Sequence, residues 1–384
     1  MIIEPKVRGF ICTTAHPDGC RENVKQQIEY VKSRGRMEGP SKVLVIGGST
    51  GYGLASRIAA AFGCGAATLG IMFEKVATEK RTATPGWYNT MAFEGFAEED
   101  GLYARTLNGD AFSMEMKEQT VQAIREDLGQ IDMVIYSLAA PRRTMPDGTV
   151  YSSVLKTTNG IFTNKSLNLR NNQIEEASIS PASQEETAAT VKVMGGEDWM
   201  DWMRVLSRAG VLAPHFKTLA YSYIGPELTY PVYYEGTIGM AKQHLCETAR
   251  KINQEIPGAE ALVSVNKALV TQASSAIPIV PLYMAILYHV MKEKGLHEGC
   301  IQQMDRLFRE KLAGQAETDG SGLIRLDDYE MREDVQSEVM RLWEVVNTEN
   351  LRQCADLEGY WEDFYHMFGF GFENVDYTRD VPLT

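Results

Sequence analysis

A doubly wound, parallel α/β sheet with helices on both faces is the fold class this sequence predicts. Three observations predict it. First, Val43 to Ile46 is an apolar, β-branched run of strand length that ends in glycines at 47, 48, 51 and 53. It continues into L-A-S-R-I-A-A-A-F, where Leu54, Ile58 and Phe62 lie at helical spacing. Second, βα repeats follow in order, four in all, which is the pattern of a parallel sheet covered on both faces. Third, a chain of 384 residues with 44% hydrophobic and 23% charged residues has the composition of a globular protein able to bury a large core.

The glycines between the first strand and its helix are spaced G-x3-G-x-G, the layout that aims backbone N–H groups and a helix N-terminus at a diphosphate. Gly47 makes the turn, Gly51 admits the pyrophosphate and Gly53 lets the helix pack close to the strand. The second strand, in A-A-T-L-G-I-M-F-E-K, ends at Phe73-Glu74. A carboxylate there reads the adenosine ribose hydroxyls and repels a 2′-phosphate, so NADH is expected over NADPH. Leu102 to Asp110 reads as the third strand, with Asp110 and Ala111 at the position that flanks an adenine ring, and a helix spans about 114–128. Met133 to Leu138 reads as a central strand whose small C-terminal residues leave room for the nicotinamide-side ribose.

Residues 141–190 break this rhythm with Pro, Asp, Gly, Asn and Thr, predicting an irregular or hairpin-bearing insertion. Helix resumes at about 184–208, T-L-A-Y-S-Y-I-G gives a fifth strand, Val263 to Val270 another, and 280–294 a helix. The segment 318–330 predicts a turn, a strand and an Asp-capped helix, because it lacks the alternating ligands of a calcium loop. Helix over 331–347 and an aromatic-rich tail to Phe372 are expected to pack back on the body. At the other end, Cys12, His16 and Cys20 supply too few ligands for zinc, and Pro17-Asp18-Gly19 predicts a turn leading into a helix near 22–34. No metal is expected. The chain is thus read as one large domain over 1–384. Its core covers about 42–275, with substrate-side helices at about 276–345 and N-terminal, internal and C-terminal additions.

A net charge of -13 argues against a nucleic-acid partner. Six scattered cysteines without a C-x-x-C pair predict free thiols in a reducing compartment. The N-terminus lacks a signal-peptide core, and the apolar stretch Ala276 to Met291 is cut by Pro278 and Pro281 and too short for a bilayer. The expectation is a cytoplasmic protein with no membrane partner.

The chemistry centres on Tyr230, Tyr233, Tyr234 and Lys242. A tyrosine and a lysine downstream of a Rossmann half point to a reductase pair in which the ammonium holds the nicotinamide ribose and the phenol donates a proton or hydrogen bond. Tyr233 and Lys242, nine apart, would lie about 180° from each other on one continuous helix. Gly236 and Gly239 allow a late helix start that leaves Tyr233 outside it. On this reading all three tyrosines stay open, with aromatic core packing as the alternative.

The motifs A-H-P-D-G-C, V-L-V-I-G-G-S-T-G-Y-G-L-A-S-R-I, P-G-W-Y-N, Y-S-L-A-A-P-R-R-T, V-M-G-G-E-D-W, A-Y-S-Y-I-G-P-E, G-T-I-G-M-A-K, A-L-V-T-Q-A-S-S-A-I-P and M-K-E-K-G-x-H-E-G-C occur in order. Over essentially the full length, the sequence resembles the trans-2-enoyl-CoA reductase / FabV-type enoyl-ACP reductase family. The resemblance implies an NADH-dependent reduction of an enoyl-CoA or enoyl-acyl-carrier-protein thioester in fatty acid synthesis, by a monomer, with no flavin. That family's Y-x8-K motif selects Tyr233 as the proton donor and Lys242 as its cofactor-binding partner. Tyr223 would contact the acyl thioester. Gly47, Gly48, Ser49, Thr50, Gly51, Tyr52, Phe73, Glu74, Asp110, Ala111, Leu138, Ala139, Ala268, Leu269, Val270 and Thr271 would line the NADH site. As hypotheses, the apolar residues Ile277, Ile279, Leu282 and Met284 would wall the acyl chain, with a plain core helix as the alternative, and Arg142 and Arg143 could meet the carrier's phosphates, with simple solvation as the alternative. Two rivals are a short-chain dehydrogenase acting on a ketone or alcohol, whose Y-x3-K spacing none of the three tyrosines supplies, and a non-catalytic NAD(H) sensor.

Overall fold

The computed structural model describes residues 1–9, 11–271 and 274–382. In chain order the elements are β1 (Val7–Arg8), β2 (Ile11–Cys12), α1 (Pro17–Ser33), β3 (Lys42–Ile46), α2 (Gly51–Ile58), β4 (Ala67–Met72), α3 (Pro85–Glu99), β5 (Ala104–Asn108), α4 (Met114–Ala123) and β6 (Ile131–Tyr136). The 141–190 region holds two hairpins, β7 (Arg142–Thr144) with β8 (Val150–Ser152) and β9 (Phe162–Asn168) with β10 (Gln173–Ile179). Then come α5 (Gln184–Met194), α6 (Glu197–Arg208), β11 (Leu212–Ser222), α7 (Thr237–Glu255), β12 (Glu260–Val265), α8 (Val280–Glu293), α9 (Cys300–Arg306), β13 (Leu323–Arg325), α10 (Glu333–Val345), α11 (Leu351–Cys354) and α12 (Leu357–His366).

Seven strands form one parallel sheet in the order β13-β12-β11-β6-β3-β4-β5. The chain leaves β3 toward β4 on one side and later adds β6 on the other, so the topological switch lies between β3 and β6. In open α/β sheets that crevice, at the carboxyl ends of the strands, is where ligands bind. The central strands are buried on both faces, which explains why β3 and β6 read as continuous apolar runs. One face is covered by residues of α1, α2, α3 and α9, the other by residues of α4, α6 and α7. A third cluster gathers α8, α10, α12 and the aromatic tail. Helix α8 is apolar around its whole circumference and is buried almost throughout. Each of its large aliphatic side chains contributes ~1.5–3 kcal/mol by leaving water.

Several local expectations change. Helix α1 starts at Pro17, not near 22: Pro17 sits in the first turn, where its missing N–H costs nothing, and His16 Nδ1 caps Gly19 N. The 184–208 helix is two helices. A Cβ on Gly195 would lie 2.5 Å from Val191 O, and one on Gly196 2.3 Å from Thr248 Oγ1, so the chain breaks where it passes against α7. The strand expected over Val263 to Val270 stops at Val265. Beyond it, the N–H groups of Lys267, Ala268 and Val270 go to the side chains of Gln303, Glu330 and Tyr288 rather than to a neighbouring strand. Helix α10 is not Asp-capped; it begins behind Arg332, which makes no side-chain cap.

Candidate active site

The turn from β3 into α2 has the shape its glycines dictate. Gly47 takes φ +86°, and a Cβ there would lie 2.3 Å from Ser137 O at the end of β6. A Cβ on Gly53 would lie 2.0 Å from Gly47 O, so α2 packs tightly against the strand end. Gly51 at φ +53° faces open space, and Thr50 beside it is exposed. The result is a cradle at the switch point onto which the partnerless N–H groups of α2 converge, a fit for a dinucleotide's diphosphate. Gly48 N donates to Ile71 O at 3.1 Å, Leu138 borders Gly47, and Ala139 is exposed. The Tyr52 hydroxyl reaches across to Lys267 O at 2.8 Å, tying the cradle to the 266–271 segment.

Glu74 follows β4. Its carboxylate accepts from the Ser49 hydroxyl at 2.7 Å, and its backbone is held in both directions by the Asn108 side chain at 2.8 and 2.9 Å. A Cβ on Gly86 would lie 2.0 Å from Glu74 Oε1, so the glycine that opens α3 makes the space the carboxylate occupies. Asn89 donates to Ser49 O at 3.2 Å. The sequence reading missed Asn108, Gly86 and Asn89; P-G-W-Y-N was its trace of the last two. Phe73 is 78% exposed, a flat apolar surface beside the cradle. At the Asp110-Ala111 turn, Asp110 Oδ1 accepts from Phe112 N, and Ala111 O accepts from Lys117 and Trp202. Lys117 is in turn paired with buried Asp198 at 2.7 Å.

The three candidate tyrosines part company. Tyr230 and Tyr234 pack on each other, ring centroids 5.1 Å apart, and Tyr234 is exposed. Tyr233 is buried edge-on against Tyr223, with centroids 4.7 Å apart and planes at 72°. Helix α7 starts at Thr237 with Gly236 at its cap, so Tyr233 lies outside the helix that carries Lys242. A Cβ on Gly239 would lie 2.3 Å from Tyr233 O, so this glycine lets the tyrosine turn fold over the helix start. Lys242 Nζ donates to Tyr221 O at 2.8 Å, and burial pushes its pKa down to about 8. Burial first, and the Glu330 charge second, push the Tyr233 phenol up, so it stays protonated at neutral pH. The Tyr223 hydroxyl donates to Glu330 Oε1 at 2.9 Å.

Ala268, Leu269 and Val270 are buried and Thr271 is partly exposed, its N–H bound to Ser274 Oγ at 2.8 Å. Ile277, Ile279, Leu282 and Met284 are buried in the cluster that contains Tyr233. Ile279 holds φ +77°, a strained setting for a β-branched residue. Arg143 is not available to a carrier's phosphates: it is buried and engaged with Lys192 O and Asp201. Arg142 is exposed.

Residues 81–313 match the family model of the trans-2-enoyl-CoA reductase catalytic region, and residues 2–79 that of its NAD(P)H binding domain. The chain is 54% identical over 387 residues to the trans-2-enoyl-CoA reductase [NADH] of Ruminiclostridium cellulolyticum, covering 100% of this chain and 98% of the relative. It is 56% identical over 386 residues to the enoyl-[acyl-carrier-protein] reductase [NADH] of Flavobacterium johnsoniae, covering 99% and 98%. The crystal structure of the Clostridium acetobutulicum trans-2-enoyl-CoA reductase in complex with NADH superposes with a TM-score of 0.97 at 44% identity, over 100% of this chain and 98% of the other. That of the Treponema denticola enzyme in complex with NAD gives 0.96 at 50% identity, over 99% and 98%.

One expectation is overturned. Residues 318–381 match a model described as an enoyl reductase FAD binding domain, which points to a flavin-binding region where no flavin was expected. The five arginines of that segment are each paired with a carboxylate: Arg325 with Asp327, Arg332 with Asp334, Arg341 with Glu338, Arg352 with Glu358 and Arg379 with Asp18. A flavin's diphosphate would compete with these carboxylates for the arginines, all of which are at least partly exposed.

Proposed function

The chain belongs to the trans-2-enoyl-CoA reductase family, and we propose that Tyr233 and Lys242 carry the chemistry of its site. The enzyme reduces the trans-2 double bond of an enoyl thioester to the saturated acyl thioester with NADH, a reaction of fatty acid synthesis. When bound, the reduced nicotinamide supplies the hydride that the β-carbon receives. Negative charge then develops on the thioester oxygen. Tyr233, kept protonated by burial, donates to that oxygen and stabilises the enolate by ~3–4 kcal/mol, the size of one well-placed oxyanion donor. Protonation at the α-carbon completes the saturated product.

The remaining residues bind and orient. Gly47, Gly48, Ser49, Thr50, Gly51 and Tyr52 hold the diphosphate, Phe73 and Glu74 the adenosine ribose, and Asp110 and Ala111 the adenine. Leu138, Ala139, Lys242 and Ala268 to Thr271 take the nicotinamide half. Tyr223 meets the thioester, and the start of α8 walls the acyl chain, since Ile277, Ile279, Leu282 and Met284 are continuous with Tyr233 in one apolar cluster. The carrier is CoA or acyl-carrier protein. We read the protein as a cytoplasmic, monomeric, single-domain enzyme without a nucleic-acid partner; its net charge of -13 supports the last point. Among the described residues, no helix is long and apolar enough to cross a membrane.

The observation that carries the site reading is the burial of Tyr233 against Tyr223 ahead of the helix bearing Lys242. Crotonyl-CoA reduced with NADH deuterated at C4 tests the reaction: deuterium is expected on the β-carbon of butyryl-CoA. Deuterium at the α-carbon, or NADH binding without turnover of any enoyl thioester, would overturn it.

A further inference from the structure

Glu330 is fully buried, lies just ahead of α10, and is used by none of the roles above. Both of its carboxylate oxygens are committed. Oε1 accepts the Tyr223 hydroxyl at 2.9 Å and the Tyr283 hydroxyl of α8 at 2.7 Å. Oε2 accepts the Ala268 N–H at 2.7 Å. An ionised carboxylate is an acceptor only, so three donors converging on it match its chemistry. Tyr223 and Ala268 lie just beyond the carboxyl ends of β11 and β12 respectively, and one side chain from the far end of the sequence ties them together. Gln336 Nε2 closes the arrangement by donating to Glu330 O at 2.7 Å.

We propose that Glu330 is a positioning residue that couples the two halves of the site, fixing Tyr223 toward the acyl thioester through Oε1 and the Ala268 turn toward the nicotinamide through Oε2. This rests on the site reading above for Tyr223 and for Ala268 to Thr271. Removing a buried acceptor leaves its donors unpaired, so both halves lose their geometry together. A carboxylate that only filled space in the core would change stability and leave the two substrates' constants alone. Burial pushes the Glu330 pKa up, and the charge of Lys267, whose ammonium faces Ala268 O at 2.9 Å, opposes that rise.

The test compares Glu330→Gln, Glu330→Asp, Tyr223→Phe and the double variant Glu330→Gln/Tyr223→Phe in the full-length enzyme. NADH affinity is read by fluorescence titration, crotonyl-CoA kinetics in the steady state and folding by thermal melting. Gln reverses one acceptor into a donor, and Asp keeps the charge but withdraws its reach, so the pair guards against one variant failing to fold. Expected in either folded variant is a loss of about 10-fold in kcat/KM for crotonyl-CoA together with weaker NADH binding. The double variant should lose less kcat/KM than the product of the two single losses, since both changes break the Tyr223–Glu330 contact while only Glu330→Gln also disturbs Ala268. Additive losses, or wild-type NADH affinity in both Glu330 variants, would overturn the coupling. Wild-type kinetics in Tyr223→Phe alone would instead remove Tyr223 from the site, and with it the substrate arm of the proposal.

Discussion

Tyr223 and Tyr233, ten residues apart in sequence, meet edge to face with ring centroids 4.7 Å apart at the carboxyl end of β11. The T-shaped contact fixes the plane of the Tyr233 ring, and Glu330 fixes Tyr223 in turn. On the role proposed for it, Tyr223 meets the thioester and also holds the neighbouring ring. Aromatic pairs of this geometry are worth ~0.5–1.5 kcal/mol beyond the area they bury. Tyr223→Leu should cost more in kcat than Tyr223→Phe, which keeps the ring. Parallel steady-state assays of the two variants check this, and equal losses would deny the ring any role.

Lys242 predicts a pH dependence. Its pKa lies below the ordinary lysine value, at about 8, because burial disfavours the ammonium. Below that pH the side chain is charged and available to the ribose; above it the charge is lost. NADH affinity should therefore weaken on the alkaline side, by up to ~10-fold per pH unit for one linked proton. Lys242→Met should bind NADH more weakly and flatten that slope. Lys267, also pushed down to about 8 by burial, faces Ala268 O and the Tyr288 ring, and Lys267→Met tests whether a slope that survives in Lys242→Met comes from it.

On the role proposed for Glu74, coenzyme choice rests on that carboxylate and the space beside it. Glu74→Ala removes the carboxylate that would repel a 2′-phosphate, so KM for NADPH should fall toward that for NADH. Gly86→Ala places a methyl where Glu74 Oε1 now lies, 2.0 Å from the new carbon. It should raise KM for NADH by displacing the carboxylate while leaving kcat at saturation intact. Unchanged NADH kinetics in Gly86→Ala would mean that Glu74 does not need this position.

The Lys117–Asp198 pair, buried at both ends, predicts a stability effect with a functional echo. Asp198→Ala strands the ammonium that braces Ala111 O and Phe112 O, and should cost ~3–5 kcal/mol in urea unfolding. On the adenine-binding role proposed for the Asp110-Ala111 turn, NADH binding should also weaken in the folded fraction. A cost near zero would show that Lys117 finds water or discharges instead.

How far the sequence carried this account depended on how local each signal was. The glycine turn at 47–53 was legible because its spacing is itself the mechanism: Gly47 and Gly53 answer close backbone contacts, and Gly51 a positive φ. Pro17 misled, because a proline marks both a turn and the first turn of a helix, and only the cap by His16 decides between them. Val263 to Val270 reads as one strand because apolar β-branched sequence does not record that Val265 is the last residue with a neighbour to pair with. Glu330 had no signature at all. Its partners Tyr223 and Ala268 lie 107 and 62 residues away, and the sheet alone brings them together. Arg143 was misassigned for the converse reason, since nothing in its loop foretold that Asp201 would bury it.

The central claim is that Tyr233 is the hydroxyl donor to the developing enolate, and one comparison tests it most directly. NADH oxidation with crotonyl-CoA is followed for wild type, Tyr233→Phe, Tyr230→Phe and Tyr234→Phe, with NADH affinity measured separately. Tyr233→Phe should bind NADH like wild type and lose ~100–1,000-fold in kcat, while the other two stay near wild type. Wild-type turnover in Tyr233→Phe, or the large loss appearing in Tyr230→Phe or Tyr234→Phe instead, would contradict it.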